Sequence, residues 1–179
     1  IADDLRAIPA LSVVMAPSSL ISLYNNPESR GLTSERIASL EFFAADGSEE
    51  FQVDAGVRMH GGAGRRPEHP KHSFRFIFRR RYGAGKLDYP LFENEPYGRS
   101  AAESFDKLIC RAGFNNTVAH WYNEQALRSQ YLRDQWARDV QFEMGHIGPR
   151  GRYVHLYLNG MYWGLYNLTE RPDEDFGAS

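Results

Sequence analysis

Residues 153–168 read Tyr153-Val154-His155-Leu156-Tyr157-Leu158-Asn159-Gly160-Met161-Tyr162-Trp163-Gly164-Leu165-Tyr166-Asn167-Leu168. Two runs of β-branched, aromatic and apolar residues flank Asn159-Gly160. A type I′ turn needs positive φ at both central positions, and Asn-Gly meets that need at the least steric cost. The stretch therefore predicts a β-hairpin over Arg152–Leu168 with a two-residue loop. Side chains alternate faces along a strand. A regular hairpin then sets Leu158 opposite Met161, Leu156 opposite Trp163 and Val154 opposite Leu165. These apolar residues share one face, and Tyr157, Tyr162 and Tyr166 take the other.

Working backward, Glu124–Met144 has no proline or glycine and predicts one long helix ended by Gly145. Leu132, Trp136, Val140 and Met144 make its better apolar stripe, at spacing four. Leu127, Tyr131, Gln135, Arg138 and Phe142 step along another side. Further back, Lys107–Arg111 is a short strand, and Cys110 within it reads as a small buried hydrophobe. Residues Tyr82–Ser104, rich in glycine, proline and charge, predict a long irregular connection. His72–Arg79 is the clearest strand, with Phe74, Phe76 and Phe78 pointing one way. Phe51–Met59 pairs with Ile37–Phe43 across an Asp46-Gly47 turn, and Leu11–Ala16 is a buried strand followed by a short helical segment at Ser18–Tyr24. The fold class is α+β: a mostly antiparallel sheet built from hairpins, with one long helix.

With 179 residues, 42% hydrophobic and 25% charged, the chain reads as one globular domain. A net charge of −2 gives no whole-protein argument for nucleic acid. A single cysteine excludes an intrachain disulfide framework. No apolar run reaches the ~18–20 residues that span a bilayer. The opening Ile1-Ala2-Asp3-Asp4 and the closing Asp173–Ser179 both read as cuts within a longer chain.

The densest local chemistry is Arg58-Met59-His60-Gly61-Gly62-Ala63-Gly64-Arg65-Arg66, followed by Lys71. A glycine-rich loop lets backbone N–H groups approach an anion, and arginine offers phosphate a planar fork. The candidate phosphate loop is thus His60, Gly61, Gly62, Arg65 and Arg66. The loop lacks the GK[ST] of a Walker A motif and the spacing GxGxxG, and it also reads as a solvated turn. His60, His69 and His72 lack HExxH spacing and cysteine partners, so no metal site is expected. No GxSxG elbow is present.

The segments GVRMHGGAGRRPEHPKHSFRFIF, FDKLICRAGFNN, YLRDQWARDVQFEMG and RYVHLYLNGMYWGLYNLTERPDEDF occur in the order of a known family. Together they resemble the spore-coat-protein-H (CotH) kinase-like family, over most of Glu41–Phe176. The resemblance implies an atypical-kinase-like fold, ATP with Mg²⁺ or Mn²⁺ as cofactors, and a serine-rich coat or surface protein as substrate. It also implies an exported, bacterial, cell-surface setting. It makes Arg58 and Lys71 the nucleotide-phosphate contacts, with Glu170 a partner for Lys71. Arg133 and Asp134 fall in the family's helix motif, in a supporting role. The family's metal-binding and catalytic aspartates lie beyond its hairpin. The chain accordingly reads as a single partial domain truncated at its C-terminal end, with no catalytic residue assigned. The competing reading is a non-catalytic cell-surface adhesion or structural module.

Overall fold

The computed structural model describes residues 4–172; the acidic end of the resemblance, Asp173–Phe176, lies outside them. The elements in chain order are β1 (Ala10–Val14), α1 (Pro17–Asn25), β2 (Arg36–Phe43), β3 (Glu49–His60), β4 (Ser73–Ile77), β5 (Leu87–Asp88), β6 (Ser104–Phe105), β7 (Lys107–Arg111), α2 (Asn123–Leu127), α3 (Arg133–Glu143), β8 (Gly151–Leu158) and β9 (Met161–Glu170). Seven strands close into a barrel in the order β1-β2-β3-β4-β7-β9-β8, and β5 and β6 make a separate two-stranded ribbon. Every barrel pairing is antiparallel except the closure of β1 on β8. Closure leaves no free edge.

Each of the early strands sends alternate side chains into the core, so β1 is buried on one face only. Leu11 and Val13, Ala38, Leu40 and Phe42, and Ala55, Val57 and Met59 are all buried in one core. Phe74 and Phe76 join them from β4, and Phe78 just beyond it. Cys110 is a free, fully buried thiol, as expected of a small hydrophobe. α1 begins with Pro17 in its first turn, where a missing N–H costs nothing. Its Tyr24 packs edge-on against Phe74 and Trp163 and accepts a 2.7 Å hydrogen bond from Trp163 Nε1.

Two expectations are corrected. The first is the hairpin register. The turn is where the sequence puts it, with Asn159 at φ 48° and Gly160 at φ 79°, and Leu158 does face Met161. Tyr157 then faces Tyr162, but Leu156 faces Gly164 and Val154 faces Tyr166. Trp163 is an extra residue on β9, a bulge, and Gly164 beside it sits at φ 125°. One inserted residue turns the rest of a strand over. Tyr166, expected beside the other tyrosines, therefore enters the core at 1% exposure and donates to His72 O at 3.1 Å.

The second is the long helix. Residues 124–144 form two helices separated at Tyr131, whose φ is 60°. That backbone is held from outside. Tyr131 N donates to Asn116 O (3.2 Å), Tyr153 Oη donates to Tyr131 O (2.8 Å), and the Tyr131 hydroxyl shares a hydrogen bond with Thr117 Oγ1 (2.8 Å). Tertiary hydrogen bonds override a local preference for continuous helix. The face of α3 turned to the barrel is also the polar one. Arg138 is buried and donates to Gln135 Oε1 (2.7 Å) and Asn167 Oδ1 (2.5 Å), while Leu132, Trp136 and Met144 are exposed.

Candidate functional site

A cleft of about 570 Å³ opens where the loop after β3, the end of β7, α3 and β9 meet. His60, Gly61, Gly62, Ala63 and Gly64 form one wall. Arg111, Phe114 and Asn116 form the second. Tyr131, Arg133, Asp134, Tyr153, Leu165, Tyr166 and Asn167 complete it. The β9 bulge decides part of this wall, because it sends Leu165 out of the core and Tyr166 into it.

Charge in the cleft is mostly positive. His60 Nδ1 accepts a 2.9 Å hydrogen bond from Arg75 Nη2. Burial first, then Arg75, Arg111, Arg171 and Arg58, hold the His60 imidazole neutral with its pKa pushed down to about 4. Four guanidinium groups thus add to the field at this ring, and the same field favours an anion. Asp134 is the acid in the cleft lining, and Arg111 Nε holds it at 2.8 Å, with Arg138 Nη2 at 3.8 Å. Asn116 Oδ1 accepts from Gln130 N at 2.9 Å, while its Nδ2 is buried with no hydrogen-bond partner among the described residues. A buried donor left unmade is costly.

Lys71 lies directly behind this wall. Its Nζ donates to Leu165 O at 2.6 Å and stands 4.9 Å from the Tyr131 ring centroid and 4.4 Å from that of Tyr166. Among the described residues no carboxylate pairs with it. Burial lowers its pKa to about 8. A mostly buried ammonium caged by rings and one carbonyl is short of negative charge.

The other residues singled out by sequence divide. His60, Gly61 and Gly62 are in the cleft. Arg65 is buried and spent on the loop itself, donating to Gly61 O (2.6 Å), Glu28 O (2.9 Å) and Ser29 O (3.2 Å). Arg66 points to solvent, with Glu68 at 4.0 Å. Arg58 leaves the cleft to donate to Gly31 O at 3.3 Å. Glu170 does not meet Lys71: it lies five residues beyond Leu165 on β9, roughly 16 Å at the rise of a strand. It is buried against Arg150, accepting from Arg150 N (2.7 Å) and Ala102 N (3.1 Å) with Arg150 Nη1 at 3.5 Å. Burial raises its pKa, against the opposing pull of those bonds. Asn116, Arg111 and Tyr131 escaped the sequence reading. Arg111 and Asn116 lie in the FDKLICRAGFNN segment, where an arginine closing a strand and paired asparagines after a glycine were the available signal.

The model of the family described as CotH kinase protein matches residues 57–179, which is more than half of the chain and takes in every wall of this cleft. The chain belongs to the CotH kinase family. The match opens inside β3, later than the resemblance seen at Glu41, so β1, α1 and β2 complete the barrel from outside it. No curated protein matches the chain. For a CotH kinase domain a nucleotide and a divalent metal are the implied ligands, and the described residues treat the two differently. The Lys71 ammonium and the open loop at Gly61 and Gly62, where an added Cβ would meet nothing within 4 Å, fit a phosphate-bearing ligand. For a metal, no three His, Cys, Asp or Glu residues come together among the described residues. They do not make a metal-holding set, and no step is derived through one. No helix is long and apolar enough to cross a membrane among the described residues.

Proposed function

We propose that this domain carries the nucleotide-binding side of an ATP-dependent protein kinase that modifies serine residues of coat or surface proteins outside the cell. The observation that supports it best is the juxtaposition of Lys71, unpaired with any carboxylate among the described residues, with a cleft walled by a glycine-rich loop and by Arg111 and Arg133. Phosphoryl transfer asks a protein mainly for positioning and for charge against the phosphate oxygens. In this reading Lys71 reaches a phosphate oxygen past Leu165, and the Gly61–Gly62 amides face the phosphates. Arg111 keeps Asp134 from repelling the anion. Arg58, Arg65 and Glu170 hold the loop and the barrel end rather than the ligand, and Arg66 faces solvent.

Calorimetric titration of the full chain with ATP, alone and with Mg²⁺ or Mn²⁺, tests the reading. Saturable binding is expected. Lys71→Ala should weaken it about ten- to a hundredfold, since a charge-assisted hydrogen bond is worth roughly 1.5–3 kcal/mol. The mutant's melting temperature should not fall, because burying an amine whose pKa is lowered costs stability. Affinity should also decline as pH rises through about 8, where Lys71 loses its proton. Undiminished binding by the mutant would remove Lys71 from the site. No binding at all would leave the non-catalytic surface module as the standing reading.

A further inference from the structure

β3 ends at His60, and the β3–β4 register fixes what that ring can meet. His60 pairs with Ser73, so Arg75 lies diagonally across from it on the same face of the sheet. That face is the outer one, because the alternate residues Met59, Phe74 and Phe76 fill the core. The diagonal closes in the 2.9 Å contact between Arg75 Nη2 and His60 Nδ1. A guanidinium donates through every N–H and has no acceptor, so Nδ1 offers its lone pair. A neutral imidazole has one N–H, and here it sits on Nε2. Nε2 has no hydrogen-bond partner among the described residues, and it is not sealed from solvent. His60 lines the cleft beside Gly61 and Gly62, so the open N–H is available there.

We infer that His60 is a neutral hydrogen-bond donor to a phosphate oxygen, through Nε2–H, and that Arg75 is the positioning residue that fixes its tautomer. The inference rests on the nucleotide reading of the cleft and adds to it a contact that does not depend on a charged side chain. Gly61 follows His60 directly, so an anion that faces the loop amides is within reach of the ring. The surroundings keep the ring neutral. Burial acts first against a second proton, followed by Arg75 on β4, Arg111 at the end of β7, Arg171 after β9 and Arg58 on β3 itself. The acid in the lining, Asp134, is engaged by Arg111 at 2.8 Å. With its pKa pushed down to about 4, His60 stays one and the same donor through neutral pH, whereas Lys71 loses its proton at about 8. The cleft thus pairs a donor whose strength follows pH with one whose strength does not.

Nitrogen NMR of the full chain without ligand reads the tautomer, with the His60 ring identified by its loss in His60→Gln. At neutral pH Nε2 should carry the proton and Nδ1 none, and the ring should take a second proton only near pH 4. In Arg75→Met that step should move to higher pH. A protonated Nδ1 at neutral pH, or a titration indifferent to Arg75→Met, overturns the tautomer lock. Calorimetric titration with ATP reads the contact. His60→Leu should weaken binding about ten- to a hundredfold, as loss of one hydrogen bond to a charged group does. The factor should be the same below and above the pH of about 8 at which Lys71 loses its proton. His60→Gln, whose amide can place an N–H where Nε2 stood, should recover most of the loss. Unchanged binding by His60→Leu, while the parent binds, overturns this contact alone. A loss that grows on acidification makes His60 a cation and overturns its neutral role. A parent that binds no ATP removes the nucleotide reading and the phosphate contact together, and the ring's tautomer is then decided by NMR.

Discussion

The β8–β9 hairpin and α3 lie against each other, yet they obey opposite rules. In the hairpin the apolar side chains go inward: Val154, Leu156, Leu158 and Leu168 are all buried. In α3 they go outward, and the inward side chains are Arg138, Gln135 and the half-buried Phe142. The barrel accounts for the difference. Its interior is filled by residues from all seven strands and needs no helix to cover it. What β9 shows α3 is its outer face, Asn167 and Thr169, and polar groups buried there must be bonded. The Arg138–Gln135–Asn167 network answers that need. An amphipathic helix buries whichever side matches the surface it lies on, not always its greasier one.

Four substitutions sharpen the contrast or break it, in falling order of expected effect. Leu156→Ala should cost about 2–5 kcal/mol in denaturant unfolding, because it opens a cavity in a closed barrel. If it costs no more than a surface change, the barrel interior is not the core. Arg138→Ala should cost about 1–3 kcal/mol, since it takes the Arg138 donor from the buried Asn167 Oδ1. A neutral result by thermal melting would mean that α3 is not held by its polar face. Gly160→Val should cost roughly 1 kcal/mol or more, because a β-branched residue is forced to φ 79°. If stability is unchanged, the turn is not what holds the hairpin. Trp136→Ser, measured on dilute protein, should stay within about 0.5 kcal/mol of the parent, as exposed positions do. A loss as large as that of Leu156→Ala would show that the apolar ridge is covered within the monomer, and the contrast would vanish.

The same contrast explains which parts of the cleft could be read in advance. His60, Gly61 and Gly62 were picked out as a glycine-rich loop among arginines, and they do line the cleft, though the same composition also suits a solvated turn. Lys71 was legible as a cation but not in its surroundings. The Trp163 bulge sets which β9 carbonyl it meets, and a bulge leaves no mark in a run where every residue favours a strand. Arg65 and Glu170 were misleading for a common reason. Charge makes both conspicuous, and only burial shows the first spent on the carbonyls of Gly61, Glu28 and Ser29 and the second on Arg150 and Ala102. Tyr131 was invisible, because nothing local requires its positive φ.

By itself the sequence determined the barrel strands, though not the short β5–β6 ribbon within what reads as an irregular connection, and it determined the Asn159–Gly160 turn, the glycine loop and the family. Each rests on short-range rules: period-two burial, the φ demands of a turn, and the segments of the family pattern. Tertiary structure alone decided that β1 closes on β8, that Trp163 bulges, that Tyr131 breaks the helix and that α3 docks by its polar side. These outcomes depend on groups far apart in the chain that compete to satisfy buried hydrogen bonds, and no local pattern records which of them wins.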